Sequence, residues 1–488
     1  MSLTSVGRRA LSGSAWVLVA EGLAVPSGLL TVAVATRLLG PGQYGLFALA
    51  AAVVAWVEWG LASGFSRAGV RLVSEASDWR PAGTALVHHQ FGVSLFAMLA
   101  LWLLAEPIAD QLGDPRLVDY LRLFAVDIPL FGLAQAHRGV LIGLGHFGNR
   151  AIASAGRWTA RALLIVMLLE LGLSVEGAIV GSLGASVVEL AIARWRVRPT
   201  LLTRLGAGYP MGRVWGDAGP LFALGLGMRV LEKLDLVLLK GLGGSAEQAG
   251  IYAAAQNLTI GPGLVALAAS PILLATLSRL VHAGSRDQAR AVGREALRLL
   301  VLLAPLAAIG AAASPEIAVL LYGRVFMDSG PLAEILMLGA AAMAAFSLVT
   351  SVLIGAGRSG WTLAMVLGML ALAFVCHLVV IPRWGPLGAA AVTSLVTSLG
   401  ALTGSLAIYR VWAVCPPAAS LLRAGALCVV AFALTTAWSS PGLEVVLKLA
   451  VMVALVGLAY VGFGEFSVAE LVAALPRAGL ARLARRSS

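Results

Sequence analysis

Leu39-Gly40-Pro41-Gly42-Gln43-Tyr44-Gly45-Leu46-Phe47-Ala48, at the exit of the first long apolar run, returns in looser form after the seventh as Gly241-Leu242-Gly243-Gly244-Ser245-Ala246-Glu247-Gln248-Ala249-Gly250-Ile251-Tyr252-Ala253. Gln, Gly, an aliphatic residue, an aromatic and Ala recur in the same order. Two further pairs keep nearly the same offset, a little over 200 residues. They are Val140-Leu141-Ile142-Gly143-Leu144-Gly145 with Val352-Leu353-Ile354-Gly355-Ala356-Gly357, and Glu176-Gly177-Ala178-Ile179-Val180-Gly181-Ser182-Leu183 with Leu387-Gly388-Ala389-Ala390-Ala391-Val392-Thr393-Ser394-Leu395. Chance similarity of Gly/Ala-rich helices would not hold one register, so the chain contains a duplication. Six apolar runs separate the matched segments, so both copies start from the same side of a bilayer. The halves are therefore parallel repeats related by an axis along the membrane normal.

Composition sets the solvent. The 488 residues are 59% hydrophobic and only 12% charged, with a mean hydropathy of +0.92, far from soluble usage of roughly 45–50% apolar and about 25% charged. Apolar runs of about 20 residues, enough to span hydrocarbon as helices, recur from Gly13 to Phe463. Counted with uncertain ends, they make an all-α polytopic membrane protein of about 14 transmembrane helices. The expected organisation is an N-lobe of helices 1–6 (residues 1–200), a C-lobe of helices 7–12 (201–415), a terminal pair (416–463) and a basic tail (464–488). The first run follows Arg8-Arg9 and continues to about Thr36, too long for a signal-peptide core, and reads as an uncleaved helix.

The net charge of +11 comes from arginines in short loops, which sets topology and argues against nucleic-acid binding. With the amino terminus in the cytoplasm, Arg67, Arg71, Arg80, Arg150, Arg194, Arg196, Arg198, Arg204, Arg213, Arg279, Arg286, Arg290, Arg294, Arg298, Arg358, Arg410 and Arg423 fall on that side. The opposite side receives Arg37, Arg116, Lys240, Arg324 and Arg383 beside acidic loops such as Glu106, Asp110, Asp114 and Asp119. Both termini are expected on the cytoplasmic side of a bacterial inner membrane. The tail opens with a capping-box pattern, Ser467-Val468-Ala469-Glu470, and reads as a basic stretch on the inner surface.

Thr36-Arg37-Leu38-Leu39-Gly40-Pro41 with Tyr44-Gly45-Leu46-Phe47, Asp235 with Gly250-Ile251-Tyr252, Leu320-Leu321-Tyr322-Gly323, and Ile381-Pro382-Arg383-Trp384-Gly385-Pro386-Leu387-Gly388-Ala389-Ala390 occur in order and at characteristic spacing. In these the chain resembles the polysaccharide flippases of the multidrug/oligosaccharidyl-lipid/polysaccharide exporter superfamily, the Wzx-type O-antigen and exopolysaccharide transporters, from about Ser12 to Arg410. The resemblance implies a fold like that of the multidrug exporters, alternating access between two lobes, and undecaprenyl-diphosphate-linked oligosaccharide carried from the inner to the outer leaflet. It implies as partners membrane lipids and the polymerase and glycosyltransferases of the same pathway.

Ionisable groups inside spans cost at least a few kcal/mol each, so they face water or a partner. On the fifth helix Arg150, Arg157 and Arg161 are spaced to share one face and descend from the cytoplasmic mouth. The fourth carries Asp127 and Arg138; the seventh carries Arg229, Glu232, Lys233 and Asp235. Arg138, Arg157, Arg161, Arg229 and Lys233 are the candidates to receive a diphosphate, for which guanidinium forks are suited donors. The competing role is mutual neutralisation, as between Arg229 and Glu232; Arg157 and Arg161 show no evident acidic neighbour. Glu21, Asp127, Glu232 and Asp235 are candidates for coupling to H+ or Na+. Pro26 is a candidate hinge and Arg37 a candidate gate or interfacial anchor. Glu58 and Glu189, near cytoplasmic ends, are expected at the interface.

No enzyme signature stands out: there is no phosphate-binding Gly-rich loop with its Lys, no metal-ligand spacing and no long outer loop. The cysteines Cys376, Cys415 and Cys428 read as packing residues. A secondary transporter without a bound cofactor is expected. Its alternatives are a cation-coupled drug exporter, a lipid II flippase, or a non-transporting scaffold in a polysaccharide assembly complex.

Overall fold

The structure, a computed structural model, describes residue 20 and residues 22–197, 211–415 and 417–465; the side chains of residues 63–68, 211–221 and 299–300 lie outside the description. Glu21, Arg8, Arg9, Arg198, Arg204 and the tail after residue 465 therefore lie outside the described residues, as do the side chains of Arg67 and Arg213.

Ala24–Glu75 is divided at Gly40, where φ is 70°, into α1 (24–39) and α2 (41–75). Glycine takes this left-handed conformation without a Cβ clash, and Pro41 opens the next helix where its missing N–H is not needed. The N-lobe continues with α3 (Trp79–Gln111), α4 (Leu117–Ala125, resumed after Val126 as Asp127–Gly143), α5 (Phe147–Glu170) and α6 (Val175–Arg196). The C-lobe opens with α7 (Met211–Gly241), α8 (Ala246–Leu258, resumed after Thr259 as Ile260–His282), α9 (Arg286–Tyr322) and α10 (Ser329–Gly355). Gly385, at φ 53°, then divides Ser359–Trp412 into α11 (359–384) and α12 (386–412), again just before a proline. The terminal pair is α13 (Ala418–Ala437) and α14 (Glu444–Gly462). Ten described runs are long and apolar enough to cross a membrane. Dividing the two kinked runs and adding α4 and α7 gives the fourteen expected helices among the described residues.

Packing differs at the two ends of the bundle. At the end opposite the arginine-rich loops one core cluster draws on both lobes, joining Tyr44, Leu46 and Phe124 to Leu236, Tyr252 and Phe326. At the basic end the lobes have separate cores, one around Val73, Leu86, Val140 and Ala193 and the other around Leu277, Leu297, Val349 and Trp412. The two copies of the opening motif meet in the shared core. A Cβ on Gly45 would overlap the Ala246 carbonyl oxygen, and one on Gly250 that of Pro41, so α2 and α8 touch backbone to backbone. Small residues permit such approach in membrane bundles, where dispersion and close fit replace the hydrophobic drive.

The terminal pair is fastened to α9 at both ends. Lys448, fully buried, places its Nζ 2.7 Å from Glu316, which also accepts from the Ser440 N–H and hydroxyl. Just beyond α14, Glu465 accepts from Arg423 at 2.7 Å, from the Ser420 hydroxyl and from Arg298. Burial works to raise the Glu465 carboxyl, and the hydrogen bonds from Arg423, Ser420 and Arg298 together outweigh it and hold it below the ordinary value.

Candidate functional site

Because the lobes share a core only at one end, a cavity of about 650 Å³ lies between them. Its N-lobe wall carries Trp59, Gln135, Arg138 and Arg150; its C-lobe wall carries Arg229, Glu232, Ser270, Ser347, Thr350 and Thr362. A second chamber of about 530 Å³ shares Met228, Arg229, Glu232 and Ser347 with the first and reaches Lys233, Asp235, Gln256 and Thr393 inside the C-lobe. A third, about 500 Å³ and almost wholly apolar, lies between α8, α9 and α10 with Leu449 of α14, and shares Ala266 and Ala344 with the second.

The expected basic stripe of α5 divides. Arg150 lines the cavity, whereas Arg157 turns onto Glu189, with Nη1 3.2 Å from Oε2, and lies 4.5 Å over the Phe131 ring. Arg138 lines the cavity and also reaches Glu189, at 3.5 Å. Glu189 has no exposed surface, which corrects the interfacial placement: it is a counter-ion held by α6 for two guanidinium groups from α4 and α5. Glu58 is corrected likewise. It is 7% exposed, faces Asp127, and with that residue lies in the field of Arg157 and Arg161. The absence of acidic neighbours around Arg157 and Arg161 is thus also corrected. The acids come from α2, α4 and α6, helices far away in sequence, so a reading along α5 alone does not find them.

In the C-lobe Arg229 is fixed from three sides. It pairs with Glu232 at 2.8 Å, stacks 4.8 Å over Trp59, and its carbonyl accepts from the Trp56 indole at 3.0 Å. Trp56 and Trp59 belong to α2, so these contacts join the lobes. Asp235, 1% exposed, accepts from the Tyr252 hydroxyl at 2.6 Å, the Thr393 hydroxyl at 2.8 Å, the Gln256 amide at 2.9 Å and the Leu236 N–H at 2.8 Å. Four donors thus meet its two oxygens, and Lys233 donates to Gln256 at 2.8 Å to complete the network.

Arg37, at the opposite end, donates from Nε to the Leu321 carbonyl at 2.9 Å and from Nη2 to that of Leu320 at 2.6 Å. These are last-turn carbonyls of α9 without helical partners, the groups a basic side chain satisfies best. A residue of the first helix thereby ties the N-lobe to the C-lobe. Pro26 occupies the first turn of Ala24–Glu75, and the break within that run lies at Gly40. Trp59, Gln135, Ser270 and Thr362 are cavity residues that charge-based reading passes over, since uncharged side chains on apolar helices carry no signal of which way they face.

A family model described as polysaccharide biosynthesis protein matches residues 34–331. The succinoglycan biosynthesis transport protein ExoT of Rhizobium meliloti is 25% identical over 388 residues, covering 78% of this chain and 72% of that protein. Among solved structures, the lipid II flippase MurJ in an inward closed conformation superposes with a TM-score of 0.75 at 13% identity, over 92% of this chain and 98% of that one. An inward-facing multidrug resistance MATE family transporter of the MOP superfamily gives 0.60 at 18%, over 85% and 95%. The fold is thus that of the multidrug/oligosaccharidyl-lipid/polysaccharide exporters, and the chain belongs to the polysaccharide biosynthesis protein family as a multi-pass membrane transporter.

Proposed function

We propose that this protein is a flippase, not an enzyme, that carries an undecaprenyl-diphosphate-linked oligosaccharide from the cytoplasmic to the periplasmic leaflet of a bacterial inner membrane by alternating access. The observation that carries the reading is the charge of the central cavity. Arg138, Arg150 and Arg229 line it against one lining carboxylate, Glu232, which suits a diphosphate and disfavours a cationic drug. Its continuation into an apolar chamber suits an amphiphile, with the headgroup in the polar space and part of the chain in the apolar one. The arginine bias supports a cytoplasmic basic end and cytoplasmic termini. Membrane lipids and the polymerase and glycosyltransferases of the pathway complete its setting. Glu58 and Asp127, facing each other beside Arg157 and Arg161, are where we place a coupling proton or sodium ion.

Reconstituted vesicles supplied with a fluorescent undecaprenyl-diphosphate-linked sugar test this. Leaflet exchange is expected, and Arg229→Ala is expected to slow it about 10- to 100-fold, the loss of a hydrogen bond to a charged group. Exchange of lipid II alone would overturn the cargo, efflux of cationic drugs alone would reassign the protein to drug export, and no exchange of any kind would favour the scaffold.

A further inference from the structure

Arg161, expected among the arginines that receive cargo, lines none of the three chambers. Among the described residues it makes no hydrogen bond or ion pair, and its Nε is buried without a partner. Arg157, one turn away on α5, is occupied by Glu189 at 3.2 Å. Arg161 instead stands in the field of two separate groups. One is the pair of Glu58 on α2 and Asp127 on α4; the other is Tyr44, near the start of α2. Glu58 and Tyr44 are about 21 Å apart along that helix, at about 1.5 Å per residue, so the Arg161 side chain lies between them. Tyr44 belongs to the outer seam. Its hydroxyl accepts from Asn257 of α8 at 3.2 Å, its ring meets Phe326 of the C-lobe edge-on at 6.1 Å, and the next residue, Gly45, is in backbone contact with Ala246.

Glu58 and Asp127 face each other at hydrogen-bonding range, and two carboxyl groups bond in this way only when one carries a proton. Arg157 and Arg161 of α5 and Ser186 of α6 face the pair, and Glu189 of α6 with Arg138 of α4 extends the cluster. Fully ionised, the cluster sets three carboxylates, Glu58, Asp127 and Glu189, against three guanidinium groups, Arg138, Arg157 and Arg161. One proton on the pair leaves one positive charge over. Glu189 already holds Arg138 and Arg157, so the surplus falls on Arg161. A cation without a counter-charge is stabilised by water. The closed seam around Tyr44 is apolar core, whereas an open one admits water towards Arg161. The pair therefore binds its proton more weakly when the seam is closed, so acid favours the open seam and loss of the proton the closed one.

Resting on the flippase reading, with its coupling site at Glu58 and Asp127, we propose that Arg161 is the positioning residue that ties the charge state of that pair to opening of the outer seam beside Tyr44. The test uses spin labels replacing Gln111 of the N-lobe and Val325 of the C-lobe, both exposed at the Arg37 end, in the full chain in lipid nanodiscs without cargo. From about pH 8.5 to about pH 5.5 the ratio of long to short distances is expected to rise about 10-fold in the parent, the mark of a tenfold difference in proton affinity between the two states. Histidines titrate over the same range, so the variants decide. Arg161→Gln is expected to cut the rise below about 2-fold and Arg161→Lys to keep it. Glu58→Gln, which fixes the surplus charge, is expected to show the long distance at both pH values. A full rise in Arg161→Gln would overturn the coupling, as would a flat response in the parent. An equal loss in Arg161→Lys would do the same, because shape and not charge would then be at work. Where Arg161→Gln does not fold, a Glu58→Gln distance that still follows pH overturns the coupling alone. Leaflet exchange of the fluorescent undecaprenyl-diphosphate-linked sugar separates the two readings. Exchange with a flat distance sinks only the coupling, and a pH-dependent distance without exchange sinks only the flippase reading.

Discussion

Glu189 shows how a membrane protein keeps a guanidinium cluster near its core. A charged side chain at the bilayer centre costs about 2.5–3.5 kcal/mol on insertion scales, and Glu189 offsets this for Arg138 and Arg157 together. Removing it takes a buried counter-charge from both guanidinium groups at once. Glu189→Gln is therefore expected to destabilise by roughly 3–5 kcal/mol, read as a lower melting temperature in detergent; an unchanged value would show that the arginines are neutralised elsewhere. Asp114, in the loop between α3 and α4, poses a milder case. The Arg116 hydrogen bond holds its carboxyl below the ordinary range against the opposing effect of burial. A folded value below the unfolded one, about 3.9, means stability present above that value and lost as pH falls through the depressed one. Asp114→Asn is accordingly expected to lower stability near neutral pH and to flatten its decline below about pH 4, measured as melting temperature against pH. Of these residues, Asp114 and Arg116 were legible only as neighbours in one outer loop; their ion pair is seen in the fold. Glu189 was not, because its partners lie 51 and 32 positions away, on helices whose facing hydropathy does not reveal.

Among elements, α2 and α8 carry the sharpest constraint. Hydropathy and arginine placement were enough to count the helices; their grouping into lobes is what the repeat leads one to expect. The breaks at Val126 and Thr259 were not legible from hydropathy, because the apolar runs continue past them, although Pro129 follows the first and Gly261-Pro262-Gly263 the second. The contact between the two motif copies was not legible either; the repeat shows that they are equivalent, and only the fold shows that they meet. Their glycines touch a partner's backbone, so no rotamer change relieves an added methyl. Gly250→Ala is expected to force α2 and α8 apart at the end where Arg37 bridges the lobes. With Cys376, Cys415 and Cys428 replaced, a cysteine at Thr259, which lines the C-lobe chamber, is then expected to react with an impermeant maleimide from that end in the variant and not in the parent. Equal labelling would mean that α8 absorbs the methyl by sliding. Glu465→Gln makes the complementary change at the basic end. It weakens the tie of α13 and α14 to α9, and proteolysis near residue 465 is expected to quicken.

At the scale of the whole molecule, the uneven distribution of core defines which motion is cheap. One apolar cluster spans both lobes at the Arg37 end, and two clusters that do not touch serve the basic end. A state open at the other face requires the reverse: the lobes part along α2 and α8 and close over the cavity at the basic end. Each lobe's own cluster at the basic end need not change, so the lobes are expected to rock as bodies. α13 and α14, tied to α9 at Lys448 and Glu465, follow the C-lobe. Spin labels replacing His146 and Ser359, in the repeat-related turns after α4 and α10, report the basic end, and labels at Gln111 and Val325 report the other; all four side chains are exposed. Rocking predicts that a cargo analogue which shifts the population shortens the first distance and lengthens the second in the same samples, as read by pulsed electron-spin resonance. Two distances that change with the same sign would mean swelling, not rocking. A change confined to one end would mean that a local gate moves while the lobes stay still, which the backbone contact of Gly45 and Gly250 resists, since helices touching at the main chain have no side chains to swing aside.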